Sequence, residues 1–352
     1  MEKAMRAARF AGTAGVGERD IDGSALDAYL RHSLDGFGEL RGIRQFRGGQ
    51  SNPTYLLETP DRRYVLRRRP GGVPEHAGHP VDREYRVLSA LRGSGVPVPD
   101  ALHLCTDRAV IGSSFYVMSF VDGRLFWDLS LPGLDPAERA AIYDGLNATL
   151  ARLHTLDPAR LGLADYGRPQ GYLARQVARW TRDYRQMASE RIPAMETLAA
   201  WLPDHLPADQ VALIHGDYRL DNIILHPTEP RILAVLDWEL STLGHPIADL
   251  AGHCLSWHLR TGTLAGLAGE DLAGLGIPDE NAYVRAYLER TGFSVNDLAT
   301  FLAFAAFRLA AILIGVAKRG EEGTATNDAA RDFGRAAREV ADLGAHFIRR
   351  RS

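Results

Sequence analysis

His215-Gly216-Asp217-Tyr218-Arg219-Leu220-Asp221-Asn222, followed by Leu236-Asp237-Trp238-Glu239, is the stretch whose reading decides the fold. Val211 to Ile214 is apolar and leads into the first segment as a short strand. Asn222-Ile223-Ile224-Leu225 reads as a second strand, His226 to Pro230 as a turn, and Ile232 to Leu236 as the return strand. A hairpin of that length brings Asp237 back beside Asn222, and Asp217, on the loop just before, faces the same space. Taken singly, an HGD triplet, a turn asparagine and an Asp before Trp are ordinary structural residues. Together they set three oxygen-bearing side chains at one place.

Such a set suits phosphoryl transfer. That reaction asks for little covalent help; it needs an oriented nucleophile and an offset for the negative charge of the transferring group. One carboxylate near an acceptor hydroxyl and two oxygen ligands for Mg²⁺ meet the need, because Mg²⁺ takes few protein carboxylates and keeps phosphate oxygens and water.

Outward from this core, the two sides of the chain differ. Toward the N-terminus, Ser24 to Leu34 reads as a helix capped by Ser24, with Gly36 beyond its end. Ile43 to Leu57 and Arg63 to Arg69 read as strands around a Thr59-Pro60-Asp61 turn, and Val110 to Val121 as a strand pair around Gly112-Ser113. Asp82 to Leu91 has helical spacing at Tyr85, Leu88 and Leu91. From Asp135 on, Pro136–Leu153, Leu173–Met187, Ala194–Trp201, Pro246–Trp257, Glu280–Arg290, Val295–Lys318 and Asp328–Arg349 read as helices, interrupted by the β-rich island Val211–Trp238. Strands segregated from helices imply an α+β fold and not alternating βαβ units. Asp122-Gly123 reads as a hinge, which divides the chain into residues 1–121 and 122–352.

HGDxxxxN followed by a hairpin and LDWE resembles the aminoglycoside phosphotransferase and choline kinase group of the protein-kinase-like superfamily. The wider run HGDYRLDNIILHPTEPRILAVLDWELSTLGHPIADLA, with VDREYRVLSAL and FRLAAILIGVAKRG, is similar to the phosphotransferase domain of acyl-CoA dehydrogenase family members ten and eleven and their bacterial relatives. The resemblance implies a two-lobed kinase-like fold, with a small β-rich N-lobe that binds ATP and a larger, mainly helical C-lobe with a short β insert. It implies Asp217 as the base that accepts the substrate hydroxyl proton, Asn222 and Asp237 as Mg²⁺ ligands, and Asp249 as a brace for the catalytic loop, although a plain helix N-terminal charge explains Asp249 as well.

On the nucleotide side, Gly48-Gly49-Gln50-Ser51-Asn52 stands where the family has its phosphate-covering loop; glycines let the backbone approach phosphate, and Ser51 and Asn52 add donors. Hairpin turns use the same residues. The strand Tyr64-Val65-Leu66-Arg67-Arg68-Arg69 departs from the family, because Arg67 stands where the ATP lysine belongs. Alternation puts Val65 and Arg67 on the cleft face, where Val65 covers adenine and Arg67 clamps phosphate. The three arginines also fit a solvated edge-strand device. Glu84 shares a helix face with Leu88 and Leu91 and is the partner expected for Arg67, and the Met118–Gly123 backbone is the expected adenine linker.

The acceptor is the least legible part. Trp180, Tyr184 and Trp257 are candidate pocket walls, or core residues; His245, His253 and His258 fit no metal spacing and read as structural. Arg175, Arg179, Arg182 and Arg185 suit an anionic acceptor such as a hydroxyacyl-CoA or hydroxy acid, or form a solvated basic face. The alternatives are an aminoglycoside or amino-alcohol kinase and, since Arg67 replaces lysine, a nucleotide-binding pseudokinase.

The bulk properties narrow the field. With 352 residues, 45% hydrophobic and 24% charged, the chain can fill two lobes. A net charge of -3 gives no global field toward nucleic acid or membrane. Two distant cysteines, Cys105 and Cys254, make no disulfide framework and fit a reducing, cytoplasmic setting. Residues 1–20 lack the apolar stretch of a secretory signal, and the apolar run Phe301–Val316, broken by Arg308, reads as a buried core helix and not a membrane span.

Overall fold

A computed structural model describes residues 21–46, 52–70, 81–262, 264–321 and 332–350. They fall into two compact units. The first runs to Gly123 and takes in Leu233–Leu240; the second comprises Arg124–Ile232 and the chain from Ser241. The short segment of the first unit carries Asp237 and Glu239 with it.

The first unit is an antiparallel five-stranded sheet of β1 (Gly42–Gln45), β2 (Thr54–Glu58), β3 (Arg63–Arg68), β4 (Ala101–Cys105) and β5 (Phe115–Ser119), in the order β1-β2-β3-β5-β4. Alternation sorts its faces. Tyr55, Leu57, Tyr64, Leu66, Phe115 and Val117 join a core with Leu26 and Leu30 of helix α1 (Gly23–Ser33). Leu56, Val65, Arg67, Tyr116 and Met118 belong to the opposite set, with Val65 paired to Met118 and Arg67 to Tyr116 across the ladder. Helix α2 (Val81–Leu91) buries Val81, Glu84, Val87, Leu88 and Leu91 at helical spacing, so that Glu84 is an acid on an apolar stripe.

Three local expectations change. The cap of α1 is Asp22, whose carboxylate accepts the Ser24 and Ala25 amides at 3.0 Å, and not Ser24. Val110 to Val121 holds one strand, β5; its partner is β4, because the chain before Gly112 closes a turn, with the Gly112 amide on the Arg108 carbonyl at 2.8 Å. And β3 lies between β2 and β5, so its arginines are not an edge device. Arg68 is buried, with its guanidinium 5.6 Å from the Tyr55 ring. Gly48, Gly49 and Ser51 lie outside the described residues.

The second unit holds helices α3 (Pro136–His154), α4 (Tyr172–Met187), α5 (Pro193–Trp201), α6 (Pro246–Cys254), α7 (Leu272–Leu275), α8 (Glu280–Thr291), α9 (Leu298–Glu321) and α10 (Asp332–Arg350). It also holds the strands β6 (Ala212–Ile214), β7 (Ile223–Leu225) and β9 (Thr242–Gly244); β8 (Ile232–Val235) runs from it into the first unit. β6 pairs antiparallel with β9, a strand absent from the sequence reading. α9 is long and apolar enough to cross a membrane by length and composition alone, but 72% of that window is buried among the other helices. α10 lies so close to it that a Cβ at Gly344 would stand 3.1 Å from the Ala306 methyl group.

Candidate active site

The loop after β6 is fixed through its backbone. The His215 and Gly216 amides donate to the two carboxylate oxygens of Asp249, on α6, at 2.8 and 2.9 Å. Arg308 of α9 donates to the Gly216 carbonyl at 2.6 Å. The Asp217 amide donates to His215 Nδ1 at 3.2 Å, and the Tyr218 carbonyl faces His253 Nδ1 at 3.2 Å. Tyr218 Oη donates to the Leu146 carbonyl on α3 at 2.9 Å. Gly216 has φ 84°, a left-handed turn that a Cβ would strain, which explains the glycine between His215 and Asp217.

Within this rigid frame the Asp217 carboxylate keeps 38% of its side-chain surface open. Asn222, at the end of the 3₁₀ turn Leu220–Asn222, points its amide nitrogen at Asp217, 3.0 Å from the carbonyl and 3.3 Å from Oδ2. The amide oxygen is therefore the end of Asn222 left to meet anything else.

Asp249 is only 3% exposed and also faces His154 Nε2 at 3.1 Å. Burial works against ionising it, but the His154 hydrogen bond and charge, with His215, hold its carboxyl below the usual carboxylate range. An ionised Asp249 only accepts, so His154 donates to it from Nε2; its Nδ1 meets Tyr287 Oη at 2.6 Å. Asp249 is thus a brace and not merely a charge near a helix start. His154, Tyr287 and Arg308 escaped the sequence reading; the signal was a single arginine inside the apolar run of α9.

In the first unit, Arg67 is ringed by carboxylates. Its Nε lies 3.3 Å from Glu84 Oε2, and its Nη2 donates to Asp237 Oδ1 at 2.9 Å and Glu239 Oε2 at 3.1 Å. Glu84, 1% exposed, also accepts from Asn52 Nδ2 at 2.9 Å and Tyr116 Oη at 3.0 Å. Burial pushes the Glu84 carboxyl up to about 7 although Arg67 pulls it down. The surrounding carboxylates outweigh desolvation at Arg67 and hold it protonated. Asp237 has φ 65°, in the left-handed region that Asp tolerates better than most residues with a side chain.

The arginine-bearing helix offers less to an anion than the sequence implied. Arg175 donates to the Gln170 and Arg168 carbonyls, Arg179 and Arg182 pair with Asp183, and Arg185 pairs with Glu196. Tyr184 and Trp257 are core residues. His245 caps α6 through the Ile247 amide, and His258 meets Glu280. A cavity of about 550 Å³ lies between α4 and α5, and Asp217 is not among its lining residues. Among the described residues no group of three or more His, Cys, Asp or Glu is arranged to hold a metal.

Residues 42–288 match the model of the phosphotransferase enzyme family. The chain belongs to that family. This phosphotransferase is 50% identical to a Ralstonia eutropha protein of known structure, provisionally described as an aminoglycoside phosphotransferase; the match covers 94% of this chain and 99% of that one, with a TM-score of 0.86. It is 43% identical to mouse acyl-CoA dehydrogenase family member 10 over 93% of its own length, but spans only 31% of that relative. A choline kinase from Cryptosporidium parvum, 14% identical over 94% of this chain and 95% of its own, has a TM-score of 0.63 and shares the kinase-like α+β fold.

Proposed function

We propose that this phosphotransferase carries the γ-phosphate of ATP, with Mg²⁺, to a hydroxyl group of a small molecule, and that Asp217 is the base. One observation carries the reading: the backbone on either side of Asp217 is tied down from α3, α6 and α9, while its carboxylate stays open. A base must be held still and yet be reachable. Asp217 receives the proton of the acceptor hydroxyl, Asn222 keeps its carboxylate oriented, and Arg67 contacts phosphate from the face that also bears Val65 and Met118.

Asn222 and Asp237 are the proposed Mg²⁺ ligands. Their donors are hard oxygens, and the Asp237 side chain is 36% exposed, which suits an ion that keeps much of its water. When bound, Mg²⁺ offsets charge on the phosphates.

For the acceptor we infer a hydroxyacyl-CoA or hydroxy acid. The support is the kinship with acyl-CoA dehydrogenase family members, in which a segment like this chain makes up 31% to 44% of the length. The description of the Ralstonia relative favours an aminoglycoside instead. Incubation with γ-labelled ATP, Mg²⁺ and a panel of hydroxyacyl-CoAs, hydroxy acids, amino alcohols and aminoglycosides separates the two. Label is expected on the hydroxyacyl compounds. Transfer to aminoglycosides alone overturns the acceptor assignment, and no transfer to any hydroxyl overturns the kinase reading.

A further inference from the structure

We propose that Glu239 is a positioning residue of the nucleotide site, holding one arm of Arg67 so that the guanidinium does not close on Asp237 alone. This rests on the reading of Asp237 as a Mg²⁺ ligand. Arg67 Nη2 has two N–H bonds. It meets Asp237 Oδ1 at 2.9 Å and Glu239 Oε2 at 3.1 Å, so two carboxylates share one nitrogen on nearly equal terms.

The two are not equally placed. The Glu239 side chain is 13% exposed against 36% for Asp237. A more enclosed pair is screened less by water and salt. Glu239 is therefore the lasting partner, and Asp237 the one able to exchange Arg67 for another cation. Glu239 sits on the 3₁₀ turn Trp238–Leu240, which is anchored by the buried Trp238 indole donating to the Val235 carbonyl at 3.0 Å and packs on α2, the helix that supplies Glu84. The planar fork of Arg67 is thus oriented at both ends, by Glu84 near Nε and by Glu239 at Nη2. A lysine ammonium, a point charge, needs no such second anchor.

Without the Glu239 charge, Asp237 is the carboxylate left facing Nη2, and a metal must compete with a tighter ion pair. The test measures equilibrium binding of a fluorescent ATP analogue while Mg²⁺ is titrated, for wild type, Glu239→Gln, Glu239→Asp, Arg67→Ala and the Arg67→Ala/Glu239→Gln double variant. Glu239→Gln is expected to raise the Mg²⁺ midpoint about tenfold, roughly 1.4 kcal/mol, with nucleotide affinity restored at saturating Mg²⁺. Glu239→Asp is expected to raise it by about threefold and serves alone if Glu239→Gln does not fold. In the Arg67→Ala background Glu239→Gln is expected to add nothing. An unchanged midpoint in the Glu239 variants, an equal shift without Arg67, or affinity that saturating Mg²⁺ does not restore overturns the proposal. If wild type itself binds no nucleotide with Mg²⁺, the proposed function fails and this role falls with it.

Discussion

Replacing Asp249 by alanine takes the acceptor from three donors at once. The His215 amide, the Gly216 amide and His154 Nε2 lie 2.8, 2.9 and 3.1 Å from its oxygens, and His154 and His215 are themselves buried. A buried donor without a partner costs about 1–3 kcal/mol, and breaking such a buried charged network as a unit about 3–5 kcal/mol. A carboxylate that merely complemented the α6 dipole would contribute about 0.3–1 kcal/mol and fade with salt. Urea unfolding at low and high salt distinguishes the two. Asp249→Ala is expected to lose about 3–5 kcal/mol with little salt dependence. Asp249→Asn should fall between, since its amide oxygen can serve one backbone N–H while its NH₂ confronts the other. Label transfer should drop further than stability does, because the loop carrying Asp217 loses its anchor. A loss below about 1 kcal/mol that vanishes in salt refutes the brace.

Arg67→Ala is expected to destabilise the fold by about 3–5 kcal/mol by leaving Glu84 buried without its cation. A buried acid pushed upward binds its proton more readily folded than unfolded, so in wild type stability falls as pH rises from the ordinary glutamate range to about 7. Without Arg67 that fall should continue to higher pH, and denaturation midpoints measured at several pH values check it. His253 shows the opposite sign: burial lowers it to about 4, so the unfolded chain takes up the proton first and stability is lost as pH drops from about 6.5 toward 4, by at most about 3 kcal/mol. Melting temperatures of wild type and His253→Asn across that window should converge toward acid pH.

The local devices were the most legible. Apolar alternation in β2, β3 and β5 and the helical spacing of α2 are carried by adjacent residues, so the sequence alone pairs Arg67 with Glu84. The glycine of the HGD triplet is explained by its left-handed φ of 84° and not by its neighbours in the sequence. What stayed hidden depends on residues distant in the chain. Nothing near His154 or Arg308 announces that their partners are Asp249 and the Gly216 carbonyl. β4 was missed because Ala101–Cys105 is only partly buried and mixes His103 into its pattern. The pairing of the α4 arginines was hidden too, because charge in a sequence does not tell which of them find Asp183 or Glu196.

The most direct trial of the central claim compares Asp217→Asn with wild type in one vessel, measuring both the binding of MgATP and the first-turnover transfer of its labelled γ-phosphate to a hydroxyl acceptor. Transfer should fall by at least about a hundredfold while MgATP affinity and melting temperature stay within error, as the loss of a base alone requires. Transfer at the wild-type rate from a folded Asp217→Asn protein contradicts the assignment.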